Sequence, residues 1–179
     1  NLVEAKQLVT LLLVKELKLR RYEKDFIARS DPVYVEKFSS TFISLKQSLS
    51  TLNSMLIEEG INNSKQINEL SQVLGSYTDK FIKIVEYKKI IGLKKSSGLR
   101  KELRDAAHRT EEQAKSFNNH KLSLLIMTLR RHEKDFFLRV QESYVEKFQE
   151  TMTEAKKVAK SFNNHVFDES LLAYESSFK

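Results

Sequence analysis

Apolar residues recur along this chain every three or four positions, in long runs broken at only a few places. Over residues 1–29, Val9, Leu13, Leu17 and Ile27 fall on one line, with Leu8, Leu12, Leu19, Tyr22 and Phe26 on the adjacent one. That is the spacing of an amphipathic helix. Asp31-Pro32 interrupts it, because proline lacks a backbone donor and disfavours helix in the residue before it. The pattern resumes at Val33, Val35, Phe38, Phe42, Leu45, Leu49, Leu52 and Leu56 and stops at Gly60-Ile61-Asn62-Asn63, a helix end and turn. A third stripe, Ile67, Leu70, Val73, Leu74, Tyr77, Phe81 and Val85, occupies Ser64 to about Ile91. Glycines and serines then break the helix, and Ser97 or Gly98 opens the next one, which ends near "SFNNH" at 116–120. From about Lys121 a long helix carries Leu122, Leu125, Ile126, Leu129, Phe136, Phe137, Val140, Tyr144, Val145 and Phe148 inward, up to a second "SFNNH" at 161–165.

Helical pieces of this length span roughly 30–45 Å, and short turns between them imply antiparallel neighbours. The simplest trace ascends through 1–59, descends through 64–118, ascends through 121–161 and descends again from 165. Breaks near Pro32 and near 92–98 fall at similar heights, which divides the bundle into two storeys. The predicted fold is all-α: two stacked four-helix-bundle modules built from long broken helices within a single domain, 1–179. One module takes about 1–30 and 96–141, the other about 33–93 and 143–179.

Composition supports helices. Four glycines and one proline are too few for a chain of many turns, and 31% charged with 40% hydrophobic residues suits a folded soluble chain. There is no cysteine, so no disulfide, thiolate metal site or cysteine nucleophile. No run of eighteen apolar residues is present to span a bilayer. The chain opens on Asn1 and is read as a fragment of something larger. A net charge of +7 favours an anionic partner. Acidic residues interleave with the basic ones throughout, however, so a small anion fits better than nucleic acid. His108, His120, His132 and His165 lack metal-ligand spacing. No cofactor motif and no nucleophile–base constellation stands out, so no enzyme and no cofactor is expected.

The chain repeats itself. Residues 19–38, "LRRYEKDFIARSDPVYVEKF", match residues 129–148, "LRRHEKDFFLRVQESYVEKF", at a shift of 110, with well over half of the positions identical. Tyr77 and Phe81 in "SYTDKFIK" have counterparts in Tyr174 and Phe178 of "AYESSFK". The first copy runs on some forty residues past Lys83 and the second does not, so a final descending helix is expected to be lacking. An internal duplication of a helical hairpin accounts for both.

These "RRxEKDF" motifs, the "YxxxF" pairs and "GLKKSSGLRKELRDAAH" resemble the helical bimodular sensor domain over nearly the whole chain. That family forms the extracytoplasmic ligand-binding region of bacterial chemoreceptors and related sensor kinases. The resemblance implies two stacked four-helix modules between transmembrane helices, a periplasmic location on an inner-membrane protein and a homodimer. It also implies small organic acids (C2–C6 carboxylates) as ligands. At least one kinase relative instead docks a periplasmic binding protein, which is the alternative reading. A helical scaffold of another kind stays open as a third.

The motif itself has two readings. Arg20 shares a helix face with Leu17 and Ile27, and Arg130 shares one with Ile126 and Phe137, with Lys24 and Lys134 between. Cations beside an apolar stripe need an anion, and the guanidinium fork suits a carboxylate. On that reading Arg20, Arg21, Arg130, Arg131 and His132 hold the ligand. On the other, Glu23, Asp25, Glu133 and Asp135 neutralise the arginines along a solvated helix surface.

Overall fold

The computed structural model describes residues 2–179, and those residues form seven α-helices and no strand. They are α1 (Leu2–Arg29), α2 (Val33–Glu58), α3 (Ser64–Ile91), α4 (Gly98–Ser116), α5 (His120–Arg139), α6 (Ser143–Lys160) and α7 (His165–Phe178). They gather into two compact units contiguous in sequence, 1–93 and 94–179. The two expected modules each combine segments from both halves of the chain, whereas each unit is one continuous stretch.

Unit 1 contains α1–α3. Its α1 and α2 form an antiparallel hairpin: the Lys15 ammonium reaches the Ser44 carbonyl at 3.1 Å and the Ser48 hydroxyl at 2.6 Å. The break at Asp31-Pro32 is therefore a reversal, not a kink in one ascending line. Ser30 takes a left-handed backbone (φ 54°) and its N–H closes on the Phe26 carbonyl at 2.7 Å. The Asp31 carboxylate accepts from the Val33 N–H, which starts α2. The core is built from Leu19, Phe26, Phe38, Leu45, Leu49, Leu74, Phe81 and Val85. Val9, Leu13, Leu17 and Ile27 of the expected inward stripe are exposed, and the adjacent line through Leu12, Leu19, Tyr22 and Phe26 faces the core instead.

Unit 2 contains α4–α7. Here α5 and α6 make the second hairpin, where one long helix was expected. Val140 is the pivot: φ is 51°, and its N–H donates to the Phe136 carbonyl at 2.7 Å, as Ser30 does to Phe26. The sequence expectation placed Val140 inward, yet it is 77% exposed. A β-branched residue in left-handed backbone is strained, and this side chain buries little. Val140→Gly is expected to raise the stability of unit 2 by about 1 kcal/mol, read from the urea midpoint. An unchanged or lowered midpoint would contradict that strain.

Four helices close unit 2: α4 packs on α5 and α7, and α6 packs on the same two. Ala106, Ala107 and Ala114 keep the buried face of α4 narrow, and the buried Thr110 hydroxyl bonds that of Ser170 on α7 at 2.7 Å. Both "SFNNH" stretches turn corners alike. Asn118 and Asn163 adopt left-handed backbone (φ 48° and 47°) at the end of one helix. Asn119 and Asn164 then cap the next, each accepting from a backbone N–H at 2.9 Å.

Each unit has an aromatic core of its own. In unit 1, Phe38 and Phe81 have ring centroids 4.2 Å apart, and Phe26 meets Phe81 edge-on at 5.7 Å. In unit 2, Phe148 stacks on Phe178 at 4.1 Å and Phe136 meets Phe178 edge-on at 5.5 Å. Tyr77 donates to Glu23, and Tyr174 donates to Glu133.

Candidate functional site

The repeated heptapeptide lands in two different electrostatic settings. On α5, the Arg130 guanidinium donates to the Glu133 carboxylate at 2.7 Å, and the Tyr174 hydroxyl donates to the same oxygen, also at 2.7 Å. Glu133 is buried and the Arg130 side chain is only 17% exposed. Burial works against the arginine's charge, but the Glu133 carboxylate and the Tyr174 hydroxyl more than offset it and hold its pKa above the ordinary value. Burial, reinforced by Glu133, also pushes the Tyr174 hydroxyl up. The three form one locked polar cluster between α5 and α7.

On α1 the match fails at the arginine. Arg20 is 57% exposed and reaches no closer than 3.9 Å to Glu16, while Arg21 stands in solvent 3.7 Å from Asp25. Both fit the surface ion-pair reading. The same line turns inward in both helices, through Leu19 on α1 and Leu129 on α5; the difference is that α4 packs beside Arg130, whereas unit 1 has no fourth described helix beside Arg20.

Arg130 borders a groove of about 480 Å³ on unit 2. Lys95, Arg100 and Arg104 enter it from the start of α4 and the turn before it. Lys134, Phe137 and Leu138 enter from α5. Five cations thus face it with a single carboxylate, Glu133, already held by Arg130 and Tyr174. The Arg100 guanidinium lies over the Phe137 ring at 5.1 Å, which fixes its plane and leaves its N–H edges free. Phe137, expected inward, is half-exposed in this wall. Such a groove attracts a small anion, and its apolar wall excludes part of the water around it. Arg131 lies in an adjoining groove with His108, Arg130 and Lys134, together with the carboxylates of Glu111 and Asp135.

His132 lines neither groove. It is buried, and its Nδ1 has no hydrogen-bond partner. Burial lowers its pKa below 6.5, helped by Arg131 and Lys147 and opposed by Asp135 and Glu150. Its counterpart Tyr22 packs against the core of unit 1, so this position faces the hairpin partner in both units.

Arg130 therefore borders a cationic groove and Arg131 a mixed-charge one, whereas Arg20 and Arg21 lie on the surface of unit 1. Arg100, Arg104 and Lys95 were missed as site residues. A signal existed: "GLRKELR" spaces two arginines four residues apart, one helical turn. No group of acidic and histidine residues able to hold a metal ion occurs among the described residues, and no described helix is long and apolar enough to cross a membrane. No protein-family description matches the chain, and no curated protein or solved structure matches it.

Proposed function

We propose that this chain is a ligand-sensing domain of the helical bimodular kind, the periplasmic part of a membrane-anchored chemoreceptor that works as a homodimer. It binds small organic acids and passes the signal across the membrane. The observation carrying this reading is the groove of unit 2, where Arg100, Arg104, Arg130, Lys95 and Lys134 converge on a volume suited to a small carboxylate. In this role Arg130 is a built-in cation kept in place by Glu133 and Tyr174, and Arg100 and Arg104 supply free forks. Binding would draw α4 and α5 together and so bias the packing of unit 2.

The same proposal includes an internal duplication. Its support is the shift of 110 that relates the two hairpins, from the left-handed Ser30 and Val140 to the pairs Phe38–Phe81 and Phe148–Phe178. Completing two stacked four-helix modules requires a further helix beside unit 1.

Titration calorimetry against a panel of C2–C6 carboxylates tests the ligand reading. Arg104→Ala, at an exposed position, and Arg100→Ala are each expected to weaken binding about tenfold or more. Arg20→Ala and Arg21→Ala serve as the comparison from the duplicated motif. If no acid binds the intact chain, weight moves to docking of a loaded periplasmic binding protein.

A further inference from the structure

Unit 2 buries one titratable side chain for which the anion groove has no use. His132 lies on α5 at the seam with α6 and is only 9% exposed. Its ring is enclosed at one nitrogen: Nδ1 is buried without a hydrogen-bond partner, whereas Nε2 is not enclosed in this way. The other histidines differ. His108, His120 and His165 are exposed, and the His165 Nδ1 has a Glu169 carboxylate at 3.5 Å.

This geometry makes the two protonation states of His132 unequal. A neutral imidazole carries one proton, and it can keep that proton on Nε2 and leave Nδ1 as a bare lone pair. An imidazolium carries a proton on both nitrogens. Its Nδ1–H would then point into the packed interior with nothing to accept it, and a charge would be buried with it. The surrounding charges do not offset that cost. On α5, Arg131 disfavours the cation and Asp135 favours it; on α6, Lys147 disfavours it and Glu150 favours it. Two cations stand against two carboxylates, and neither carboxylate accepts from Nδ1. Burial is therefore the largest influence, and it favours the neutral ring.

Unit 1 supplies an internal comparison. Tyr22 holds the equivalent place on α1 and packs against the core of that unit. A phenol gains no charge as acid is added, so the α1–α2 hairpin has no group of this kind at its seam.

We propose that His132 is an acid-sensitive latch on the α5–α6 hairpin: its protonation loosens unit 2 and leaves unit 1 as it was. The sign follows from linkage. The unfolded chain takes up this proton at the ordinary histidine value of 6.5, and the folded unit does so only at lower pH. Stability conferred by the neutral ring is thus complete above that value and is lost as pH falls through the folded one. A single histidine changes the unfolding constant by at most about tenfold per pH unit. Arg130 and Lys134 stand two residues to either side on the same helix, so the latch acts on an element that also walls the groove. His132 itself touches neither groove, so the latch and the ligand reading stand or fall separately.

Urea unfolding of the intact chain, repeated from about pH 7.5 down to about pH 5, tests the latch. The unmodified chain is expected to lose stability steeply over that range. His132→Gln, neutral throughout, should lose distinctly less, and His132→Tyr, which borrows the residue of unit 1, should behave like it. His108→Gln, at an exposed position, should follow the unmodified chain. Ring nitrogen NMR of the unmodified chain needs no change at the site. One histidine is expected to stay neutral, with its proton on Nε2, at pH values where a free histidine is protonated. Its signal is assigned to His132 by elimination with His108→Gln, His120→Gln and His165→Gln. Hydrogen exchange then locates the response: protection in α5 and α6 should fall relative to that in α1 and α2, a ratio in which the intrinsic pH dependence cancels. A His132 ring that titrates as free histidine does would overturn the proposal. So would a His132→Gln chain with an unchanged pH slope, or an equal loss of protection in both hairpins.

Discussion

Replacing Phe148 by alanine is expected to destabilise unit 2 by about 3–5 kcal/mol, measured by urea unfolding. Phe148 is fully buried, stacks on Phe178 at 4.1 Å and meets Tyr174 edge-on at 5.3 Å. Its removal therefore takes away a large apolar transfer term and two ring contacts, and it opens a cavity that helices pinned on all sides cannot collapse. Phe38→Ala should act in the same way on unit 1, where Phe38 meets Phe81 and Tyr77. Phe137 is the contrast. It is aromatic, carried by the same helical stripe in the sequence and half-exposed, so Phe137→Ala should cost little stability while removing the support beneath Arg100. A Phe148→Ala loss no larger than that of Phe137→Ala would mean the ring is not the keystone of unit 2.

Arg130→Ala is expected to cost about 3 kcal/mol or more, and Arg20→Ala no more than about 0.5 kcal/mol. The residues are equivalent in the repeat, and the difference lies in their partners. Removing Arg130 leaves the buried Glu133 carboxylate with Tyr174 alone. Removing Arg20 deletes a 3.9 Å contact at the surface. Adding Glu133→Gln to Arg130→Ala should recover much of the loss, because a neutral amide oxygen still accepts from Tyr174 without a stranded charge. Equal costs for the two arginines, or no rescue by the second change, would rule out the locked cluster.

Much of the helical layout could be read directly. The starts of α2 at Val33, α3 at Ser64 and α4 at Gly98 follow from Pro32, the Gly60–Asn63 turn and the Ser-Gly break. The caps of α5 and α7 follow from two Asn-Asn pairs. The break in α5–α6 was harder, because "RVQES" contains neither glycine nor proline. Its clue was indirect, the alignment of Val140 with Ser30. Periodicity also left the inward face of α1 undecided, since two adjacent lines of that helix are apolar and either could face a core.

The sequence by itself determined the helices, most of their ends and the paired motifs at a shift of 110, because these rest on local backbone chemistry and spacing. Tertiary structure decided which apolar line of α1 turns inward, that both hairpins reverse, and that Arg130 is locked to Glu133 while Arg20 stands in water. The locking of Arg130 depends on Tyr174 and α4, and the inward line of α1 depends on α2 and α3, all outside the helix concerned. A heptapeptide cannot specify whether its arginine is enclosed; only the helices packed around it can.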